Sequence, residues 1–414
     1  MKLPSLSSAF GCPRLLVALA AAVAPGPAAA RQPAADVFHA TLADGRIVAG
    51  VPVELGDARI VLRGDQRIDV AAADVITLAA VGRREGPPAA GAAFVLLVNG
   101  DRLLLDRDSL RLSDVELTGR WHGYPAWQPL AVPLETVRGV VLDLPEARSA
   151  ADRLLADLRD HAGRTDVVVL ANGDRLAAEF RGLDANAVQL AGAIAAVPRS
   201  NVRALMFNPE LFSMPASAGL RMLVGLVDGS RITGGKVQLD PQGQLQLEPA
   251  FGGRLDVPLA RVATIRMLGG RADWLGRLEP DDYRFQPYLS ASWPLHKDRN
   301  VTGGPLRLDG VEYPFGLGMH SRAAATYDLG GKYRWFHATI GVDDTAGDRG
   351  SIVFSVELDG QPVFTSPVLK AADAALRLDP VDLAGRQRLT LLVDYGPWGD
   401  VQDYANWCDA AIVK

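Results

Sequence analysis

The chain has 414 residues, with 43 Lys plus Arg against 48 Asp plus Glu and 48% hydrophobic residues. This is the composition of a folded globular protein, and it excludes wholesale disorder. A net charge of -5 with intermixed signs leaves no broad basic face for a phosphate backbone, so nucleic acid is not an expected partner.

In chain order, residues 1–30 read as an export signal. Lys2 and Arg14 supply positive charge, Leu15 to Val23 is an apolar run of nine, and Ala28 to Ala30 offers a small-residue cleavage site. Nine residues are too few to cross a bilayer, and no later stretch reaches the ~20 that spanning requires. The mature chain is therefore expected to be secreted, periplasmic or extracellular, without a transmembrane segment. Loss of Cys12 with the signal leaves Cys408 alone, so no internal disulfide forms and packing must hold the fold.

Between residues 36 and 270 one plan recurs four times. Leu42 to Arg46 (LADGR), Leu97 to Arg102 (LVNGDR), Leu170 to Arg175 (LANGDR) and Leu226 to Arg231 (LVDGSR) each join two partly apolar runs through an Asp-Gly or Asn-Gly pair. That pair predicts a β-hairpin with a type I′ turn. The units close alike. Val132-Pro133, Val197-Pro198 and Val257-Pro258 are each followed by an apolar strand, and the first unit keeps the spacing without proline at Val70-Ala71. The pattern predicts four small β-units of about five strands each, of the curled, partly open barrel kind, two in residues 36–144 and two in 165–270. The turn glycines 45, 100, 173 and 229 are spaced 55, 73 and 56 residues apart. The long interval holds Pro145 to Arg164, whose apolar residues at helical spacing predict a helical linker.

Arg83 to Pro88 reads as the loop between the first two units. Trp121, Tyr124 and Trp127 lie on a turn-rich insertion and are expected to pack inward. His161 is expected to favour the C-terminus of the helix electrostatically. The sequence has no nucleophile elbow, His-Glu-x-x-His, Cys-x-x-Cys, phosphate-cradling loop or dinucleotide fingerprint, and so the protein is not expected to be an enzyme.

From residue 281 the character changes, with sixteen of the 27 aromatic residues in 281–414. Phe336, Ala338, Ile340 and Val342 share one strand face, as do Ile352, Phe354, Val356 and Leu358, and Leu389, Leu391, Val393 and Tyr395. Strands with one apolar face and no intervening helix must stack as two sheets, which predicts a β-sandwich. The fold class is thus all-β, with one inserted helix and a C-terminal sandwich.

The blocks GLGMHS (316–321), YDL (327–329), GVDD (341–344), GSIVF (350–354), VFTS (363–366) and DYANWCDA (403–410) make residues 285–414 resemble the NPCBM/NEW2 family. That resemblance implies a galactose-binding-like jelly roll acting as a carbohydrate-binding module. Family members often carry DHADWAD in the last block, where this chain has Tyr404 for the His, Asn406 for the second Asp and Cys408 for the Ala.

A pyranose presents an apolar face and a rim of hydroxyls, so its site needs an aromatic platform beside fixed donors and acceptors. Trp293, Trp398 and Tyr404 are candidate platforms in turn-rich stretches, and His320, Arg322 and Asp403 are candidate polar partners. Trp335 and Trp407, flanked by strand residues, are expected to pack structurally. Asp343, Asp344 and Asp348 share a glycine-bearing loop and are the candidates for a structural calcium ion, a cation that takes six to eight oxygens. No other cofactor is expected. The expected role is binding of glycan or polysaccharide by a non-catalytic protein. The alternatives are an interaction protein of the cell envelope and an accessory part of a glycoside hydrolase system.

Overall fold

The structure, a computed structural model, describes residues 36–88, 91–124, 127–192, 196–215, 218–288 and 290–414. The export-signal reading lies outside the described residues. The fold is nearly all antiparallel strand, with one α-helix among the described residues, Arg148–Asp160.

Each Asp-Gly or Asn-Gly pair does turn a hairpin, joining for example Phe38–Leu42 to Ile47–Leu55 and Ala92–Leu97 to Arg102–Asp106. The turns are not type I′, however. The four glycines have φ between +87° and +95°, whereas Asp44, Asn99, Asn172 and Asp228 before them stay out of the left-handed region. Each turn glycine donates its N–H to the carbonyl three residues back, Gly45 to Leu42 for example, so two residues of negative φ are followed by one left-handed glycine, the pattern of a type I turn closed by a glycine bulge. The cause is the Asp or Asn side chain. Its oxygen accepts the backbone N–H two residues on in all four turns, at 3.1, 3.0, 3.0 and 2.8 Å for Arg46, Asp101, Asp174 and Ser230.

The closing strands are Val75–Ala80, Val137–Val141, Val202–Met206 and Val262–Leu268, each after a single 3₁₀ turn. Each pairs with the first strand of its own unit, and then with the closing strand of another. Val75–Ala80 lies against Val262–Leu268, and Val137–Val141 against Val202–Met206, so unit one pairs with four and two with three. Among the described residues no barrel closes, in keeping with partly open units, and one 16-stranded sheet runs through all four. An unpaired closing strand would expose its backbone edge, and pairing like with like removes it. Phe38, Leu78, Val140, Leu205, Val224 and Ile265 accordingly belong to one continuous core.

The helix is a brace rather than a linker. Leu154 and Leu158 pack on Phe94, Val141, Val169 and Met206. Its acidic side chains reach the sandwich, where Asp152 binds Arg307 and Asp160 binds Arg299, each through two hydrogen bonds. His161 caps its C-terminus, its Nε2 3.1 Å from the Thr165 carbonyl. Trp121 is buried, and Tyr124 stacks on Trp127 at 4.4 Å, so the aromatic insertion packs inward.

The C-terminal sandwich stacks two sheets. One holds Gly316–His320, Tyr404–Val413 and Trp335–Val342. The other holds Asp282–Phe285, Ala323–Asp328, Arg388–Tyr395 and Ser351–Leu358. Phe336, Ile340, Phe354, Val356, Leu389, Leu391 and Trp407 fill the space between. The first sheet also recruits Ala272–Trp274, which pairs with Ala411–Val413, so the sandwich begins before the aromatic-rich stretch does. Trp335 is half-buried and packs at the junction with the repeat units.

Sandwich and repeat units share a buried ionic junction. Glu85, from the loop after the first unit, accepts from Arg231 at 2.5 Å, Arg266 at 2.9 Å and Thr264 at 2.5 Å, and Arg266 also grips Asp409 of the last sandwich strand at 2.9 and 3.0 Å. Glu312 of the sandwich reaches back to Arg102 and Arg231. Trp274, Phe315, Ile76 and Leu223 supply the apolar part of the same contact.

Candidate functional site

One rim of the sandwich collects the sugar-site candidates, because the strands that carry them end there. His320 closes Gly316–His320 and Tyr404 opens Tyr404–Val413, and the two stand opposite each other in register. Arg322 precedes Ala323, which pairs with Phe285 on one side and Val393 on the other. Trp293 comes from the loop after Asp282–Phe285, and the Tyr283 hydroxyl donates to its carbonyl at 3.0 Å. Burial pushes the Tyr283 phenol up to about 12, so it stays a donor at neutral pH.

The centre of the rim is a stack. Trp293 lies parallel to the His320 imidazole, 4.5 Å away with 4° between the planes, and Tyr404 sits 6.1 Å from both. Phe285 meets His320 edge-on. His320 is buried, and burial holds its pKa below the usual imidazole value, so the ring is neutral at pH 7. Its Nδ1 is 2.7 Å from the Ser321 carbonyl, which can only accept, so the proton is on Nδ1 and Nε2 is left as an acceptor.

Beneath the stack a polar relay fixes the loops. Asp403 is buried and accepts from the Ser321 hydroxyl at 2.5 Å and the Ser351 amide at 2.8 Å. Ser351 in turn accepts from the Trp398 amide at 3.2 Å. Asp403 thus ties the two loops together from a buried position, and burial pushes its pKa up to about 6. On the outer side Arg322 and Asp394 are half-exposed, with Nε 3.5 Å from Oδ2, a donor and an acceptor held in fixed directions. Trp398 is 47% exposed, and the Lys370 ammonium lies 4.6 Å above its ring.

Two features of this rim escape sequence reasoning. Tyr395 continues the apolar alternation of its strand, yet it is exposed at the strand end and meets Tyr288 edge-on at 5.9 Å. The serines of the relay, Ser321 and Ser351, lie in the GLGMHS and GSIVF blocks, but nothing in the sequence joins them to Asp403. Cavities of about 410, 430 and 470 Å³ lie at the junction with the repeat units and beside Trp335, and none is bordered by Trp293, His320, Tyr404 or Trp398.

The acidic loop does not assemble a metal centre. Asp343 is buried, and its oxygens accept from the Asn300 side chain at 3.0 Å, the Asn406 side chain at 2.6 Å, the Thr345 hydroxyl at 2.5 Å and the Arg307 amide at 3.1 Å. Asp344 accepts from the Gly310 amide, and Asp348 is exposed. Among the described residues no group of three His, Cys, Asp or Glu side chains is placed to hold an ion. The Asp343 carboxylate is a structural hub whose oxygens are held by these protein donors.

A family model described as the NPCBM/NEW2 domain matches residues 274–413. A protein of Renibacterium salmoninarum named "Putative endo-alpha-N-acetylgalactosaminidase" is 38% identical over 128 residues, which are 29% of this chain and 8% of that protein. The chain therefore spans under a tenth of this relative's length. Among solved structures, CBM51 from Clostridium perfringens GH95 in complex with methyl-galactose is 27% identical. That match covers 34% of this chain and 99% of the other, with a TM-score of 0.32. The tandem CBM51 modules of a family 98 glycoside hydrolase from Streptococcus pneumoniae are 14% identical, covering 77% and 87% of the two chains with a TM-score of 0.31. Residues 274–413 thus match the NPCBM/NEW2 domain model and form a β-sandwich that follows a β-rich section of four paired units.

Proposed function

We propose that the protein is an exported, non-catalytic glycan-binding protein whose sandwich rim takes one sugar ring at a time. The observation that carries this reading is Trp293 laid flat on His320 beside Tyr404, within a domain of a carbohydrate-binding family. A flat indole supplies the apolar platform that a pyranose face needs, and Arg322 with Asp394 supplies directional polar partners for its hydroxyls. The name of the Renibacterium relative makes galactose and N-acetylgalactosamine the first probes. Export is supported by the charge, apolar run and small-residue pattern of residues 1–30, and no described helix is long and apolar enough to cross a membrane.

The test is a glycan array probed with the full-length chain, followed by titration of the hits. Retention of galactose-type or cell-surface glycans, lost in Trp293→Ala, is the expected outcome. A second reading makes the protein an interaction protein of the cell envelope. It is favoured by the buried junction of Glu85, Arg266 and Asp409, which fixes the sandwich to the repeat units instead of leaving it on a free tether. Under that reading the array shows no retention.

A further inference from the structure

The junction between sandwich and repeat units holds a cavity of about 430 Å³, within the range of roughly 300–1,000 Å³ typical of small-molecule sites. Its walls come from the second repeat unit, the helix and the sandwich, and its apolar part includes Leu155, Pro305, Tyr313 and Phe315. The polar part holds seven cationic side chains beside three acidic ones, Asp101, Asp298 and Glu312. Five of its cationic side chains have a carboxylate in ion-pair range: Arg102 and Arg231 share Glu312, Arg277 has Asp298, Lys297 has Glu279 and Arg299 has Asp160.

Arg138 and Arg159 line the same space, and no carboxylate among the described residues comes within ion-pair range of either. Arg138 donates to the Arg159 carbonyl at 2.9 Å, and Arg159 donates to the Gly303 carbonyl at 3.0 Å. The buried Nε of Arg159 and the buried Nη2 of Arg102, a residue 7% exposed, find no acceptor in the protein. Burying guanidinium groups without a direct ion-pair partner is costly, and the more distant carboxylates of Asp160, Asp152 and Glu312 offset that cost only in part. Burial and the neighbouring Arg299 pull Arg159 down to about 10, a measure of how far it has left water behind. In the same low-dielectric setting an entering anion is attracted strongly.

We propose that this cavity is a second binding site, distinct from the sandwich rim, for a small organic anion bearing a carboxylate or sulfate, with Arg102, Arg138 and Arg159 as its charged contacts. The apolar walls then receive the body of the ligand, of the size of one acidic sugar residue. The site is assembled only in the intact chain, since the second unit, helix and sandwich each contribute a wall.

The experiment is calorimetric titration of the full-length protein with galacturonate, galactose and inorganic sulfate, with thermal unfolding followed in parallel. Galacturonate is expected to bind with an affinity that falls as salt rises, to raise the unfolding temperature, and to be displaced by sulfate. Arg138→Ala combined with Arg159→Ala should weaken it about tenfold or more, as loss of charge-assisted bonds does. Neither arginine has an ion-pair partner to orphan, and Arg159→Lys, which keeps the charge, should retain most of the affinity. Trp293→Ala should leave this binding intact, which separates it from the rim. Absence of galacturonate binding in the unmodified protein, or equal binding in the double variant, overturns the proposal.

Discussion

The guanidinium of Arg307 meets the carboxylate of Asp152 through two parallel bonds of 2.7 Å, clamping the sandwich to the only α-helix among the described residues. Both side chains are nearly buried, and the Arg307 amide also donates to Asp343. Asp152→Ala should therefore lower the unfolding free energy by about 3 kcal/mol, the usual consequence of leaving one member of a buried pair uncompensated. Urea unfolding measures it. A change of a few tenths of a kcal/mol would return the helix to the status of a linker.

Glu85 should prove the most sensitive acidic residue of the repeat section. Burial alone would raise its pKa, but the charges of Arg231, Arg266 and Arg102 outweigh it and hold the carboxyl at about 2. A depressed carboxylate stabilises the fold above the unfolded value near 4.5, and that contribution is lost as pH falls from there through about 2. Glu85→Gln should cost about 3 kcal/mol at pH 7 and flatten the stability profile in that acidic window. Urea unfolding of both proteins at neutral and acidic pH reads the difference, and parallel profiles would contradict the assignment.

Asn406 stands where family members often have aspartate, and its amide donates to Asp343 at 2.6 Å. Asn406→Asp would set two buried carboxyls against each other, so that one must hold a proton at neutral pH. The folded state would then bind more protons than the unfolded one, and stability should fall as pH rises above about 4. At pH 7 we expect a loss of roughly 2 kcal/mol relative to the unmodified chain, seen as a lower unfolding temperature that recovers on acidification. An unchanged unfolding temperature at pH 7 would show that Asp343 is not the hub described.

Much of this fold is legible in local pattern. Val-Pro closures and Asx-Gly pairs mark the units because each is a short-range device, and Phe354, Val356 and Leu391 mark sandwich strands because period-two alternation survives wherever one face is buried. The turn type is not legible, since the choice between a type I turn with a bulge and type I′ lies in whether the Asx oxygen takes the amide two residues on. Pairing of unit one with four is equally hidden, because it joins Leu78 to Ile265 across most of the repeat section. Glu85 looks like one more loop charge, and only contact with Arg231 and Arg266, 146 and 181 residues away, makes it a keystone. At the rim, turn-rich stretches single out Trp293 and Tyr404 as candidates, while the burial of Asp403 and Asp343 depends on distant partners and leaves no local signal.

The sugar site itself is tested most directly by affinity electrophoresis of the full-length chain through a galactose-bearing polysaccharide, beside Trp293→Ala. The account predicts retardation of the unmodified protein and loss of at least about tenfold in affinity for the variant, as removal of a stacking aromatic contact entails, with both proteins folded at the temperature of the assay. Equal migration of the two proteins, with or without polysaccharide, would contradict it.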